Sequence, residues 1–232
     1  MATIVFASSK GGAGKSTIAL AIATLLCTKA KTTLIDADPN HPIINWLKRG
    51  GACPNLNVVK NEDEMLLMDE IAEAEETSQF VIVDLEGSAN IRAAYAVASA
   101  DLVIIPLQPS ILDADEASKT LKLIKNESKK LRREIPYRML WSRIPNFMTR
   151  TMKDLEGQLK NAGIPTLDNR VRDLDAYRGI FGLNKSFDQM TADEVPNLIK
   201  AKQNTTAVTQ EIINIIKELA NEQQGQGATV NG

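Results

Sequence analysis

Short apolar runs alternate along the chain with longer stretches of helical spacing. Thr3-Ile4-Val5-Phe6, Thr32-Thr33-Leu34-Ile35, Phe80-Val81-Ile82-Val83 and Leu102-Val103-Ile104-Ile105 are continuous apolar or β-branched runs. Strands buried on both faces of a parallel sheet read this way. Leu56-Asn57-Val58-Val59 and Tyr137-Arg138-Met139-Leu140-Trp141 are two further strands, and Ile164-Pro165-Thr166-Leu167 a short last one. Between them the pattern predicts helices. One opens at Ile18, a short one starts at Pro42 and stops at Gly50-Gly51, and others span Asn90 to Ala100, Asp113 to Glu134 and Thr149 to Ala162. An acidic helix from Glu62 to Glu76 has Met65, Leu66, Met68, Ile71 and Ala72 as its expected buried face. Ala192 to Asn221 carries the last helical pattern, with Ile212, Ile213, Ile215 and Ile216 as core. The alternation predicts an α/β fold: a doubly wound, mostly parallel sheet with helices on both faces.

At 232 residues and 44% hydrophobic, the chain can bury one substantial core. It shows no internal repeat and no linker, so residues 1–222 are expected to form one domain. Gln223 to Gly232 reads as a disordered polar tail. The formal net charge of −2 neither requires nor excludes nucleic acid, so any basic surface must be local. Cys27 and Cys53 lie far apart without a partner pattern, which reads as unpaired thiols in a reducing cytoplasm with no metal site. The first strand starts at residue 3 without a signal segment, and no apolar run approaches the ~20 residues a bilayer span needs. A cytoplasmic protein without membrane attachment is expected.

The chemistry concentrates in Ser8-Ser9-Lys10-Gly11-Gly12-Ala13-Gly14-Lys15-Ser16-Thr17, between the first strand and the first helix. Strand, glycine-rich turn and helix N-terminus make a phosphate cradle: backbone N–H groups turn toward an anion and the helix dipole adds positive charge. Lys15 is placed to reach the β- and γ-phosphates, and the Ser16 hydroxyl to coordinate Mg²⁺. The ordinary loop has a glycine where this chain has Ser9, and it does not require Lys10.

Three acids follow strands. Asp84 closes Phe80 to Val83 and is placed like a Walker B acid that holds Mg²⁺; the competing reading is a helix-capping aspartate. Asp36-Ala37-Asp38-Pro39 closes the second strand at the sheet end where ligands bind, or else forms an Asx-Pro turn.

Lys10 to Ser16 resembles the deviant Walker A motif of the ParA/MinD family of ATPases. The resemblance implies ATP and Mg²⁺ as cofactors and a nucleotide-sandwich homodimer in which Lys10 reaches the partner's phosphates. It makes Lys10, Lys15 and Asp38 catalytic, Asp38 by positioning the attacking water. It places Asp36 with Ser16 and Asp84 near the metal, and Lys10 through Thr17 around the phosphates. Leu85-Glu86-Gly87 departs from the family's Asp-x-Pro-Pro. Ile104 to Ser110 with Leu112-Asp113 resembles the loop on the dimer-facing side, and Ser142-Arg143 the polar pair beside adenine. Asp84-Leu85-Glu86-Gly87 and Arg172-Asp173-Leu174-Asp175-Ala176 look nearest to small plasmid-partition ParA proteins and VirC-type ATPases.

Ser118 to Glu134 holds seven lysines or arginines against two carboxylates. Lys119, Lys122, Lys129 and Arg133 are candidates for phosphate-backbone contact with DNA, against the alternative of a solvated helix face. The family resemblance therefore implies an ATPase that partitions DNA, binds it without sequence preference, associates with the nucleoid and is released by a centromere-binding or cargo-adaptor protein that stimulates hydrolysis. Two alternatives remain: an ATPase positioning a conjugative DNA-transfer complex or protein cargo at a cell pole, and a metabolic P-loop ligase. Lys10 argues against the ligase.

Overall fold

Six strands carry the apolar runs: β1 (Ala2–Phe6), β2 (Thr32–Ala37), β3 (Leu56–Lys60), β4 (Phe80–Leu85), β5 (Leu102–Leu107) and β6 (Tyr137–Trp141). In the computed structural model, which describes residues 1–88, 90–145, 147 and 149–229 with side chains through 222, they form one sheet. Its order is β3-β2-β4-β1-β5-β6, and every pair is parallel. Every residue of β1, β2 and β5 is buried, whereas edge strand β3 is half-exposed. Central strands are covered on both faces and the edge is not, which is why the central runs are apolar or β-branched, with the acids Asp36 and Asp84 only near their ends.

The helices are α1 (Lys15–Leu26), α2 (Pro42–Lys48), α3 (Leu67–Thr77), α4 (Ile91–Ser99), α5 (Ile111–Leu131), α6 (Arg150–Asn161), α7 (Asp175–Gly182) and α8 (Leu198–Thr229). A core of Ile18, Leu20, Ile22, Trp46, Ile180 and Ile212 joins α1, α2, α7 and α8 to one sheet face. A second, of Leu67, Ile71, Val97, Ile124 and Met152, joins α3 to α6 to the other. Side-chain caps set three starts: Asn90, Ser110 and Thr149 accept the amides of Ala93, Asp113 and Met152 at 2.9, 3.1 and 3.2 Å.

The expected layers are present, with local corrections. Ile164 to Leu167 is not a strand: it makes a single bridge, Thr166 to Met139. Helix α5 stops at Leu131 because Arg132 turns left-handed (φ 54°), and Leu131 is exposed. The last helix starts at Leu198, and its backbone continues to Thr229 through most of the stretch expected as a tail. Residues 230–232 lie outside the described residues. Helix α3 buries Ile71 as expected, with Leu67 and Ala74, while Met68 and Ala72 on the helix and Met65 and Leu66 in the 3-10 turn Glu64–Leu66 before it face outward. Ile212 and Ile215 are core as expected, with Ile213 and Ile216 packed against it.

Cys27 and Cys53, read as unpaired, form a disulfide with Cα atoms 7.1 Å apart. The topology joins what the sequence separates. Cys27 follows the end of α1 and Cys53 precedes β3, and the Asn55 side-chain Nδ2 donates to the Cys27 carbonyl at 3.3 Å.

Candidate nucleotide site

The loop after β1 emerges at the centre of the sheet, between the ends of β4 and β5. Gly12 and Gly14 have φ of +83° and +88°, a backbone state that side-chain-bearing residues avoid. That geometry turns the loop into a concave run of amides ahead of α1. Gly87 has another reason to be glycine. A Cβ there would lie 2.5 Å from the Gly11 nitrogen and 2.6 Å from the Lys10 carbonyl carbon. The departure from the Asp-x-Pro-Pro pattern thus ends in direct backbone packing of the post-β4 loop on the phosphate loop.

Lys15 is 5% exposed, and its Nζ donates to the Lys10 carbonyl at 3.1 Å. Burial pushes its pKa down, and the charges of Asp84, Asp38 and Glu86 pull it back up. Asp84 and Asp36 face each other across the β2–β4 register, and both are fully buried. Burial pushes the Asp84 pKa up to about 8; the neighbouring Ser16 hydroxyl and Lys15 counter it, while Asp36 and Asp38 add to it. Neither Asp84 oxygen has a well-formed hydrogen bond, and Asp36 Oδ1 has none either. Asp36 Oδ2 accepts the Ile43 and Ile44 amides, both at 2.9 Å, at the start of α2. Burial raises the Asp36 pKa and these donors offset it. The helix-capping role that the sequence offered for Asp84 thus falls to Asp36, which caps α2 with one oxygen and leaves the other free. Asp38 is half-exposed, and its Oδ1 accepts from the Asn40 amide at 2.8 Å, an Asx turn.

Orphaned, buried carboxylate oxygens beside a lysine and an amide cradle are what a phosphate-bound cation requires. Among the described residues no three His, Cys, Asp or Glu side chains could hold a metal by themselves. The donor set suits Mg²⁺, which takes one or two carboxylates and completes its shell with phosphate oxygens and water. Ser16 and Asp84 would hold it, with Asp36 beside them; bound there, it would neutralise charge on the phosphates.

The signature lysine is tethered. Lys10 Nζ lies 3.0 Å from Asp113 Oδ2, and the Ser110 hydroxyl binds the same carboxylate oxygen. Ser9 makes two bonds to Thr120 on α5: its amide donates to Oγ1 at 3.1 Å, and the hydroxyls pair at 2.9 Å. Gln108 donates to the Gly12 carbonyl at 2.8 Å. Ser142, expected beside adenine, is fully buried and donates its hydroxyl to the Ala13 carbonyl at 2.9 Å, fixing the loop. It still lines a cavity beside the loop, with Gly14, Thr17, Arg143, Asp173 and Tyr177 among its walls. Tyr177 and Thr120 were missed by the sequence reading. Only the segment Arg172 to Ala176 hinted at the first, and nothing local signals the second.

A family model described as "VirC1 protein" matches residues 1–221. The chain belongs to the VirC1 family. It is 30% identical over 220 residues to "Protein ParA" of Rhizobium radiobacter, covering 94% of this chain and 99% of that one. It is 28% identical over 181 residues to "Maintenance of carboxysome distribution protein A" of Halothiobacillus neapolitanus, covering 76% and 82%. A Borrelia burgdorferi structure described as a putative plasmid partition protein bound to AMPPNP shares the fold with TM-score 0.68 and 21% identity, covering 92% and 98%. This VirC1-family chain is thus a ParA/MinD-type P-loop protein, of the group of partition and positioning ATPases.

The predicted DNA contacts are dispersed. Lys119 pairs with Glu116 at 2.7 Å, and Arg133 reaches the Ala98 carbonyl at 2.6 Å, where α4 ends. Lys122 and Lys129 are exposed, with Lys125 between them on the same helix face, and none of the three has an ion pair among the described residues. Lys125 and Lys129 share a groove with Arg138. Among the described residues no helix is long and apolar enough to cross a membrane.

Proposed function

We propose that this chain is a Mg²⁺-dependent ATPase that partitions DNA, switching between a monomer and an ATP-bound sandwich dimer. One observation carries the reading. Lys10 stands at the rim of the phosphate cradle, held by Asp113, while Lys15 alone serves the cradle's interior. A second lysine outside the cradle is superfluous for a one-chain site and useful across a dimer. Ile111 and Leu112, beside Asp113, are 67% and 70% exposed, an apolar pair suited to burial against a second copy. The dimer presents two basic α5 faces to DNA, and a centromere-binding or adaptor protein stimulates hydrolysis and release. Asp38 aligns the attacking water, and charge stabilisation by Lys15 and both Lys10 residues supplies most of the catalysis. A second reading, positioning of a protein cargo or a transfer complex, draws on the relative named for carboxysome distribution. Lys10, which a ligase does not need, disfavours the metabolic enzyme.

Three variants test the proposal. Lys15→Ala weakens ATP binding by at least about tenfold, through loss of a charge-assisted contact. Asp38→Ala keeps ATP binding and dimer but loses turnover, and Lys10→Ala binds ATP yet stays monomeric by light scattering. An Asp38→Ala protein with wild-type hydrolysis, or a Lys10→Ala protein that dimerises normally, overturns the assignment.

A further inference from the structure

The 3-10 turn Glu64–Leu66 and the start of α3 carry apolar side chains that the core does not use. With Leu67, Ile71 and Ala74 turned to the sheet, Met65, Leu66 and Met68 remain 61%, 50% and 44% exposed. Ile91 on α4 is 46% exposed, and Tyr95, one turn further on, brings its hydroxyl 3.7 Å from the Met65 sulfur. The turn, the start of α3 and the start of α4 therefore present one apolar strip. Its border is acidic: residues 61–78 include eight Asp or Glu and no Lys or Arg. Asp69, Glu73 and Glu76 are exposed, and among the described residues none of the three forms an ion pair. The nearest cation on α4, Arg92, points inward to the Ala37 carbonyl.

These features select the occupant. A bilayer with anionic headgroups is repelled by the acidic border. A second copy related by a two-fold axis would set two acidic borders against each other. Methionines adapt to an irregular apolar face, and unpaired carboxylates attract cations. We infer that this strip docks a basic amphipathic helix of a partner protein. Its apolar side covers Met65, Leu66, Met68 and Ile91, and its lysines or arginines face Asp69, Glu73 and Glu76. The docked helix sits one connection from the nucleotide, because α4 follows the loop in which Gly87 packs on Lys10 and Gly11. The inference stands independently of the ATPase reading.

The test uses the full chain and a probe peptide of about five helical turns built from leucine and lysine in amphipathic order. A leucine–glutamate peptide and phosphatidylserine vesicles serve as comparisons. Hydrogen exchange should show protection of residues 62–77 and 90–99 by the lysine peptide alone. Met65→Ser/Met68→Ser should weaken binding by about tenfold or more. Asp69→Lys/Glu73→Lys should lose the lysine peptide and gain the glutamate one. All these positions are exposed and outside the phosphate loop, so unchanged ATP binding certifies the fold. The inference is overturned by equal peptide binding in the methionine variant, by protection at another surface, or by protection from vesicles instead. Protection of the strip that rises with protein concentration alone would assign it to a second copy and equally overturn the proposal.

Discussion

Asp84 shows how one buried carboxylate sets both chemistry and stability. An aspartate in an unfolded chain has a pKa near 4, whereas burial pushes this one up to about 8. Between those values the folded protein holds a proton that the unfolded chain has released, so folding stability falls as pH rises from about 4 to about 8. For nucleotide-free protein, the melting temperature should therefore drop across that window. Asp84→Asn keeps the size and removes the titration. It should flatten the pH profile, so that its melting temperature no longer falls between about pH 4 and pH 8 as that of the wild type does. A wild-type pH slope retained in Asp84→Asn would show that another group governs it. The lost stability is the cost of keeping a carboxylate dry for a cation, consistent with the lack of any well-formed hydrogen bond to either oxygen.

Helix α5 joins the phosphate loop to the candidate DNA face. Asp113 in its first turn holds Lys10, Thr120 holds Ser9, and Lys122, Lys125 and Lys129 lie further along. The rise of an α-helix puts those lysines roughly 14–24 Å beyond Asp113. Thr120 is 2% exposed, and Thr120→Val retains its shape while removing both bonds to Ser9. The expected cost is about 1–2 kcal/mol of stability. ATP affinity should change little, because Lys15 and the amide cradle remain. Hydrogen exchange should show that ATP-induced protection of α5 is lost; protection equal to wild type would mean that Ser9 and Thr120 transmit nothing. Sequence pattern could not reveal this contact, which spans 111 positions between two residues ordinary for their elements. The strands were legible because central parallel strands are built almost wholly of apolar and β-branched residues, and the cradle because its glycines serve a local backbone need. Helix α3 was misread by about one position, since Met65 and Met68 also fit helical spacing and only packing shows which face meets the sheet. The Cys27–Cys53 pairing depends on β2 and β3 being neighbours, which no spacing within the chain encodes.

Across the whole molecule, acidic α3 and basic α5 lie on the same face of the sheet with α4 between them, so charge is separated without any net excess. A partner's basic helix and a DNA duplex could thus occupy one face side by side. Binding to DNA through α5 must rely on cations not already engaged. Lys119 and Lys130 are paired with Glu116 and Glu127, and Arg133 is drawn to the end of α4. Lys122, Lys125 and Lys129 remain on one helix face, together with Arg132 at the cap. Each phosphate the three lysines neutralise releases counterions, so they alone should make log affinity fall against log salt with a slope of about −3 for one protomer and about twice that for a dimer. Rigidly linked patches also gain by avidity, which would tie strong binding to the proposed ATP-dependent dimer without any base-reading element. Lys122→Glu/Lys125→Glu/Lys129→Glu should abolish ATP-dependent binding to random-sequence DNA and leave ATP binding intact, as measured by anisotropy over a salt series. If that variant keeps the wild-type slope, the duplex instead meets Arg150 and Arg172, because Arg170 is held by Glu156 at 2.7 Å.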